Sequence, residues 1–266
     1  MAHKTLIGGT AYEIGGGRTL VGGTGYSIDK GRVRVDGTGY DISFGLTVGS
    51  LPLGTSVFLE TTTGGKREFI VVNQGIPQES GYYNETADGT WLLSKNATRN
   101  ITWGSSSGGW YQGSNVKAYL EEDYYNGFNS GIKSIIKEVR IPYVQKLGTG
   151  SLKYGENGLA TKVFALSAYE VGLTSVYGDA FKSEGARLDY FKSGDQDKNR
   201  IAYYAGSVVT WWLRSPIPST SSTKNPSIIN SDGMCLSHAS GNSSYARPAL
   251  VLPKETPIDS EFNVIA

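Results

Sequence analysis

The chain has 266 residues, with 25 basic and 24 acidic side chains and a formal net charge of +1. This balance excludes a protein that holds nucleic acid through a strongly basic surface. The length suits one mid-sized domain with an appendage. The single cysteine, Cys235, excludes an intrachain disulfide and a cysteine-type zinc site, and there are only two histidines. We therefore expect neither a metal nor a cofactor.

Glycine is the most unusual component of the composition, because its 36 residues are roughly twice the average share. This content and the 17 Tyr residues are typical of turn-rich β structure and of binding loops. No segment is apolar for long enough to span a bilayer, and residues 1–5 lack the apolar character of a secretion signal. We therefore expect synthesis in a cytoplasm, no membrane insertion, and release by lysis or within a particle.

The first 46 residues contain a 14-residue repeat in three copies, at residues 5–18, 19–32 and 33–46. Each copy carries the pattern Gly-Thr-x-Tyr-x-Ile, whose period of two predicts a short strand with Tyr and Ile on one face. A second short strand is predicted just before this pattern in each copy. The residues that we expect to contact a partner are the apolar members of the pattern: Tyr12, Ile14, Tyr26, Ile28, Tyr40 and Ile42.

A unit of this size has too little core to be stable alone. One interpretation is a small β-meander packed on the main domain. We favour an anchoring arm that completes its burial against a partner or a symmetry mate, because the segment lies at a terminus. The predicted organisation is an all-β arm over residues 1–46 and one α+β domain over residues 47–266.

The first half of the main domain contains apolar runs, which predict strands, and segments whose apolar residues are spaced as on one face of a helix. Its predicted elements are, in chain order, strands at residues 68–74 and 91–94, a helix over 116–124 capped by Asn115, and a helix over 132–139 capped by Ser130.

The last third is predicted to be β structure. Residues 208–214 alternate as a strand, which places Trp211 and Trp212 on opposite faces, so at least one of them is core. Residues 227–230 and 234–237 form a hairpin about an Asp-Gly turn. Residues 246–252 form a closing strand in which Pro248 predicts a free edge. We expect Arg214 and Arg247 to bond loop carbonyls or carboxylates.

Several motifs resemble a domain of unknown function found in Gram-positive gut bacteria and their phages. These are Trp-Trp-Leu-Arg-Ser-Pro at residues 211–216, Ala-Arg-Pro-Ala-Leu at 246–250, Trp-Leu-Leu-Ser-Lys at 91–95 and Val-Phe-Ala-Leu-Ser at 163–167. The resemblance covers roughly residues 55–253. That family resembles the C-type-lectin-like fold of formylglycine-generating enzymes and of retroelement variable proteins. The N-terminal repeats similarly resemble Gly-rich repeats of phage virion proteins.

The resemblance implies a C-type-lectin-like domain in which the segment between the Trp-Trp strand and the final strand forms the exposed binding face. Two polar loops, residues 219–225 and 237–245, lie in that segment. Ordinary solvated loops are the alternative interpretation. The candidate ligand-binding residues are polar side chains of these loops and of the neighbouring hairpin: Ser219, Thr223, Asn225, Asn230, His238, Asn242, Ser244 and Tyr245. We expect His238, Asn242 and Tyr245 to lie within reach of one another.

Enzymatic function is not expected. Formylglycine-type oxidation uses a pair of cysteines, whereas this chain has only Cys235, which its strand pattern predicts to be buried. Asp195 and Asp197 do not complete a calcium loop, and no nucleophile elbow or phosphate loop is present.

The predicted function is that of a non-enzymatic phage virion surface protein, a capsid decoration or a fibre component. Its expected partners are virion proteins held through the repeats and a host-surface glycan or protein, with the chain acting as a homo-oligomer or multivalent array. The alternatives are a purely structural capsid-stabilising protein and a formylglycine-generating-enzyme-like enzyme.

Overall fold

The computed structural model describes the backbone of residues 3–7, 10–14, 18–21, 24–27, 30–35 and 38–43, and describes residues 46–78, 81–104, 110–145, 150–192, 194–218 and 225–266 in full. The architecture is mixed α/β and consists mostly of strands. The chain divides into two compact units, Met1–Leu46 and Thr47–Ala266.

Each 14-residue repeat of the first unit corresponds to one antiparallel hairpin, whose first strand begins one to three residues before the repeat does. The six strands are β1 (His3–Ile7), β2 (Thr10–Ile14), β3 (Arg18–Val21), β4 (Thr24–Ser27), β5 (Lys30–Val35) and β6 (Thr38–Ser43). The register is equivalent in all three hairpins, because the tyrosines Tyr12, Tyr26 and Tyr40 pair with Thr5, Thr19 and Val33. Five of the predicted anchoring positions lie on second strands, and Ile28 lies outside the described residues.

The second unit contains two five-stranded sheets. The strands of sheet 1 are β7 (Ser56–Glu60), β8 (Lys66–Gln74), β9 (Thr90–Ser94), β15 (Val163–Phe164) and β24 (Ala249–Leu252). The strands of sheet 2 are β10 (Asn100–Thr102), β20 (Trp211–Pro216), β21 (Pro226–Ile229), β22 (Cys235–Ser237) and β23 (Ser243–Tyr245). Sheet 1 has the order β15-β24-β9-β8-β7, and sheet 2 has the order β10-β23-β20-β21-β22.

In the described part of the second unit, four further strand pairs lie outside these sheets. They are β11 (Val139–Ile141) with β14 (Leu159–Thr161), β12 (Tyr143–Val144) with β13 (Leu152–Lys153), β16 (Ser175–Val176) with β17 (Asp179–Ala180), and β18 (Ala202–Tyr204) with β19 (Ser207–Val209). The helices are α1 (Asn115–Tyr119), which continues as a π-helical turn over Leu120–Tyr124, α2 (Ser130–Ile135) and α3 (Gln196–Arg200). Short 3₁₀ turns occupy Val48–Ser50, Glu85–Ala87, Tyr111–Gly113, Gly155–Asn157 and Asp189–Phe191.

Both predicted helix caps were wrong by one residue. The Lys117 N–H donates to the hydroxyl of Ser114 at 3.1 Å, and the Ile132 N–H donates to the side chain of Asn129 at 2.8 Å. The second helix also ends early, so Val139 belongs to β11. The chain leaves α2 because Ile136 is extended and the Lys137 N–H then bonds the Val251 carbonyl at 2.9 Å.

The strands at residues 68–74 and 91–94 and the Asp-Gly hairpin are confirmed as parts of β8, β9 and the β21–β22 pair. The predicted strand over 208–214 is instead divided between β19 and β20. The free edge predicted from Pro248 is wrong, because β24 lies between β15 and β9. Pro248 precedes that strand, where its missing N–H removes no ladder bond, and its carbonyl accepts from the Ser94 N–H at 2.7 Å.

Candidate functional site

The Trp-Trp-Leu-Arg-Ser-Pro run of β20 is buried as far as Ser215, and it holds a charged network inside the second unit. Arg214 donates to both carboxylate oxygens of Glu170, at 2.6 Å each, and neither side chain is exposed. Its remaining donors reach the carbonyls of Pro142 and Ala165 at 2.9 Å. Buried charges are tolerated when they are paired and hydrogen-bonded in this way. The expected role of Arg214 is thus confirmed.

Arg247 is the second buried arginine of the signature. Its Nε donates to the Ser94 carbonyl at 3.0 Å, and its guanidinium lies 5.1 Å from the ring centre of Trp211. Burial lowers the pKa of Arg247 to about 10. Trp211 and Trp212 are both fully buried, which confirms the prediction that at least one of them belongs to the core. Arg247 thus contacts both sheets, through Ser94 of β9 and Trp211 of β20.

A second carboxyl, Glu184, joins this network beside a cavity. It accepts from the Val144 N–H at 2.9 Å and from the hydroxyl of Ser215. Burial raises the pKa of Glu184, although the charge of Arg214 opposes the rise. The adjoining cavity has a volume of about 210 Å³, and the described part of its wall includes Phe181, Ile217 and Pro218. Because Ile217 and Pro218 directly precede the predicted loop over residues 219–225, the cavity lies next to the start of that loop.

The structure places the predicted ligand-binding residues in different settings. Ser219 and Thr223 lie outside the described residues. The Asn225 amide donates to the Ser237 hydroxyl at 3.0 Å. The Asn230 side chain accepts from the N–H groups of Asp232 and Met234, so it shapes the β21–β22 turn.

Ser244, His238 and Tyr245 are also separated. Ser244 is buried and shares a 2.7 Å hydrogen bond with Thr210, which turns it away from solvent. The His238 ring lies 5.2 Å from that of Trp212. Tyr245 is the register partner of Trp211, and adjacent strand residues face opposite ways. His238 and Tyr245 therefore lie on opposite faces of sheet 2, and the expected cluster with Asn242 does not form. Asn242 itself is exposed.

One exposed face does combine aromatic, amide and hydroxyl groups, and we call it the Tyr245 face. It consists of residues on β10, β23 and the β18–β19 hairpin: Asn100, Thr102, Tyr204, Ser243 and Tyr245. Asn100 pairs with Tyr245 and Thr102 pairs with Ser243, and directly paired residues share one face of a sheet. The ring centres of Tyr204 and Tyr245 are 4.8 Å apart, with 43% of Tyr204 exposed.

Asn100, Thr102 and Tyr204 were not predicted from the sequence as members of a binding face. The alternation of Asn100, Ile101 and Thr102 is a weak strand signal, with the apolar residue facing inward and the polar residues exposed. No local signal predicts that Tyr204 packs on Tyr245, because the contact depends on the path of the β18–β19 hairpin across sheet 2.

Other reactive groups of the second unit have structural partners. Burial raises the pKa of the Cys235 thiol to about 12, as expected of an unreactive buried cysteine. Asp195 caps α3 through the Lys198 N–H at 3.3 Å, and Asp197 pairs with Arg200. Across the described residues, no three His, Cys, Asp or Glu side chains lie close enough together to hold a metal ion. In that same part of the chain, no helix is long and apolar enough to cross a bilayer.

The fold and the Tyr245 face define a strand-rich α/β protein with an exposed aromatic and polar surface. Residues 88–254 match the family described as a domain of unknown function, DUF6273, and the chain belongs to this family. No curated protein matches the chain, and no solved structure matches it.

Proposed function

We propose that this chain is a non-enzymatic phage virion surface protein whose second unit is a C-type-lectin-like domain that binds a host-surface glycan. The observation that carries the proposal is the Tyr245 face. Its two tyrosine rings lie 4.8 Å apart beside the exposed side chains of Asn100, Thr102 and Ser243. Aromatic faces pack against the C–H groups of sugar rings, while amides and hydroxyls exchange hydrogen bonds with sugar hydroxyls.

The position of this face in the chain supports the lectin-like assignment. Ser243 and Tyr245 lie between β20 and β24, in the segment that the family resemblance implies is the binding face. The enzymatic alternative receives no comparable support, because Cys235 is buried and its thiol pKa is raised.

The Tyr245→Ala variant tests the site. An exposed face of this kind binds weakly alone and gains strength when repeated over a particle. We expect the Kd of the isolated chain for its glycan to rise by roughly tenfold, because a stacked ring contributes about 1–1.5 kcal/mol. A glycan array and an adsorption assay with intact particles measure this.

The matched control is Tyr154→Ala, which removes another exposed tyrosine in ring contact with a tyrosine, Tyr82 at 5.7 Å. Binding should survive this change. Unchanged adsorption of the Tyr245→Ala variant would show that the Tyr245 face does not bind the host glycan.

The first unit is proposed to anchor the protein to other virion proteins. Its three hairpins share one register, so Tyr12, Tyr26 and Tyr40 recur at equivalent positions. Regularly spaced tyrosines suit a repeated contact with capsid or fibre subunits, and the resulting array would be multivalent.

Deletion of residues 1–46 is expected to remove the protein from purified particles. The triple variant Tyr12→Ser, Tyr26→Ser and Tyr40→Ser should lower its occupancy by about tenfold or more, since each lost aromatic contact weakens docking. Quantitative mass spectrometry of the particles measures occupancy, with circular dichroism to check that residues 47–266 remain folded. Full occupancy after the deletion would show that the arm is not the anchor.

A further inference from the structure

A second surface of the Thr47–Ala266 unit has the features of a ligand site. It is an open groove of about 350 Å³, within the size range of small-molecule sites. Its lining includes Lys66, Ser94, Asn96, Thr98, Tyr119 and Tyr124. We propose that this groove binds a carboxylated sugar residue, as a site separate from the Tyr245 face. The inference rests on the glycan-binding function proposed above and adds the ligand's charge class.

The floor of the groove contains an unsatisfied donor. Tyr124 is 3% exposed, and its buried hydroxyl has no hydrogen-bond partner in the described part of the chain. Burial raises the pKa of Tyr124, so the hydroxyl keeps its proton and can donate it. The nearby Ser94 hydroxyl donates to the Asn96 carbonyl at 2.6 Å instead. Unpaired buried donors are rare in folded proteins, and a ligand oxygen in the groove would satisfy this one.

The Tyr124 ring is held rigidly in place. The Arg67 guanidinium lies 3.9 Å from its ring centre and donates to the Tyr124 carbonyl at 2.6 Å. On another side, Phe128 packs edge-to-face at 5.5 Å. A Cβ at Gly127 would come 2.2 Å from the Arg67 Nη2, so only glycine admits the guanidinium there. The donor is therefore oriented before any ligand arrives, which reduces the entropy lost on binding.

The charge of the groove favours an anion. Its lining carries Lys66, Arg67 and Glu68, and the Glu68 carboxylate pairs with Lys95 at 2.7 Å. Partial burial acts to raise the pKa of Glu68, but its hydrogen bonds to Lys95 and Ser56 outweigh burial and lower it. Lys66 makes no ion pair within the described residues, although its charge contributes to lowering the pKa of Asp259. Its ammonium group is thus available to a carboxylate.

The remaining groups suit a sugar ring. Tyr119 presents an aromatic ring, and its hydroxyl is 3.3 Å from that of Thr98. The Asn96 side chain is exposed, and its amide has no hydrogen-bond partner among the described residues. Aromatic, amide and hydroxyl groups together with a cation match the C–H face, hydroxyls and carboxylate of a uronic-acid-type sugar.

The test compares two ligands that differ only in the carboxylate. The full chain is titrated with methyl glucuronide and with methyl glucoside, and binding is followed by NMR. We expect the glucuronide to bind about tenfold more tightly, as a charge-assisted contact requires. Lys66→Gln should reduce glucuronide binding to the glucoside level, whereas Lys133→Gln, the same charge change outside the groove, should not.

The Tyr124→Phe variant removes only the unpaired hydroxyl. It should weaken both ligands by about fivefold to tenfold, the effect of one lost hydrogen bond. Tyr111→Phe removes a buried hydroxyl that already accepts from the Ala165 N–H at 3.0 Å, and it should leave both affinities unchanged. Equal affinity for the two sugars, full displacement of the glucuronide by equimolar acetate, or normal binding by Tyr124→Phe would overturn the proposal.

The Tyr245→Ala variant separates this proposal from the proposed function. Glucuronide binding should persist in it. If Tyr245→Ala abolishes glucuronide binding, the sugar is held at the Tyr245 face and the groove proposal is wrong. If glucuronide binding depends on Tyr124 and Lys66 while Tyr245→Ala leaves particle adsorption intact, the Tyr245 face fails and the groove proposal stands.

Discussion

Replacing Arg214 with methionine is expected to lower the free energy of unfolding by about 3–5 kcal/mol, the usual cost of breaking a buried ion pair. The variant would leave Glu170 without its cation, and neither side chain of this pair is exposed to solvent. It would also remove the donors to the carbonyls of Pro142 and Ala165. Chemical denaturation at pH 7.5 measures the change.

The loss should depend on pH. Arg214 is the strongest influence that lowers the pKa of Glu184, so its removal leaves burial to raise that pKa further. A carboxyl whose folded pKa lies above its unfolded value destabilises the fold as pH rises through that interval. The destabilisation of the variant should therefore be smaller at pH 5 than at pH 7.5.

The control is Arg99→Met, which breaks the exposed pair with Asp123 and should cost less than about 1 kcal/mol. An Arg214→Met variant as stable as this control would mean that the buried pair of Arg214 with Glu170 does not stabilise the fold.

Replacing Gly233 with alanine is expected to cost about 2–5 kcal/mol, from left-handed backbone strain and overpacking together. Gly233 has a φ of +79°, and a Cβ there would lie 2.0 Å from the Asp197 carbonyl oxygen. The Gly233 carbonyl also accepts from Arg200 Nε at 2.7 Å, so moving the turn would strain α3 as well.

Gly206 allows the two contributions to be separated. Its φ is +81°, and a Cβ there would meet nothing within 4 Å, so Gly206→Ala should cost only about 1–2 kcal/mol. Thermal and urea unfolding of both variants give the difference, which is the cost of the close contact with α3. Equal losses in the two variants would show that this contact relaxes without cost.

Sequence patterns predicted the secondary structure correctly where it depends on residues close together in the chain. The 14-residue period predicted two strands in each repeat, and each repeat forms a hairpin. The apolar run at 68–74 lies within β8, and the Asp232-Gly233 turn joins β21 to β22. In these cases the alternation of side chains and the turn residues decide the structure.

Sequence patterns gave wrong predictions where the structure depends on a residue far away in the chain. The helix expected over 132–139 stops because Lys137 bonds Val251, far along the chain. The same limit applies to the site. Tyr245 was predicted, but Asn100 reaches it through strand register and Tyr204 reaches it through a ring contact. His238 was predicted to bind the ligand because of its residue type, but its ring packs on that of Trp212.

The order of strands in sheet 1 also determines when the protein can finish folding. β24 lies between β15 and β9, and Arg247 just before it bonds the Ser94 carbonyl, 153 residues away. During synthesis, one edge of β9 therefore stays unpaired until residues 249–252 have left the ribosome. The three N-terminal hairpins can form earlier, because each pairs residues that lie close together in the chain. An unpaired apolar edge is a template for association with other chains. Premature termination before residue 249 would thus yield a chain that aggregates, although its N-terminal hairpins could already have formed.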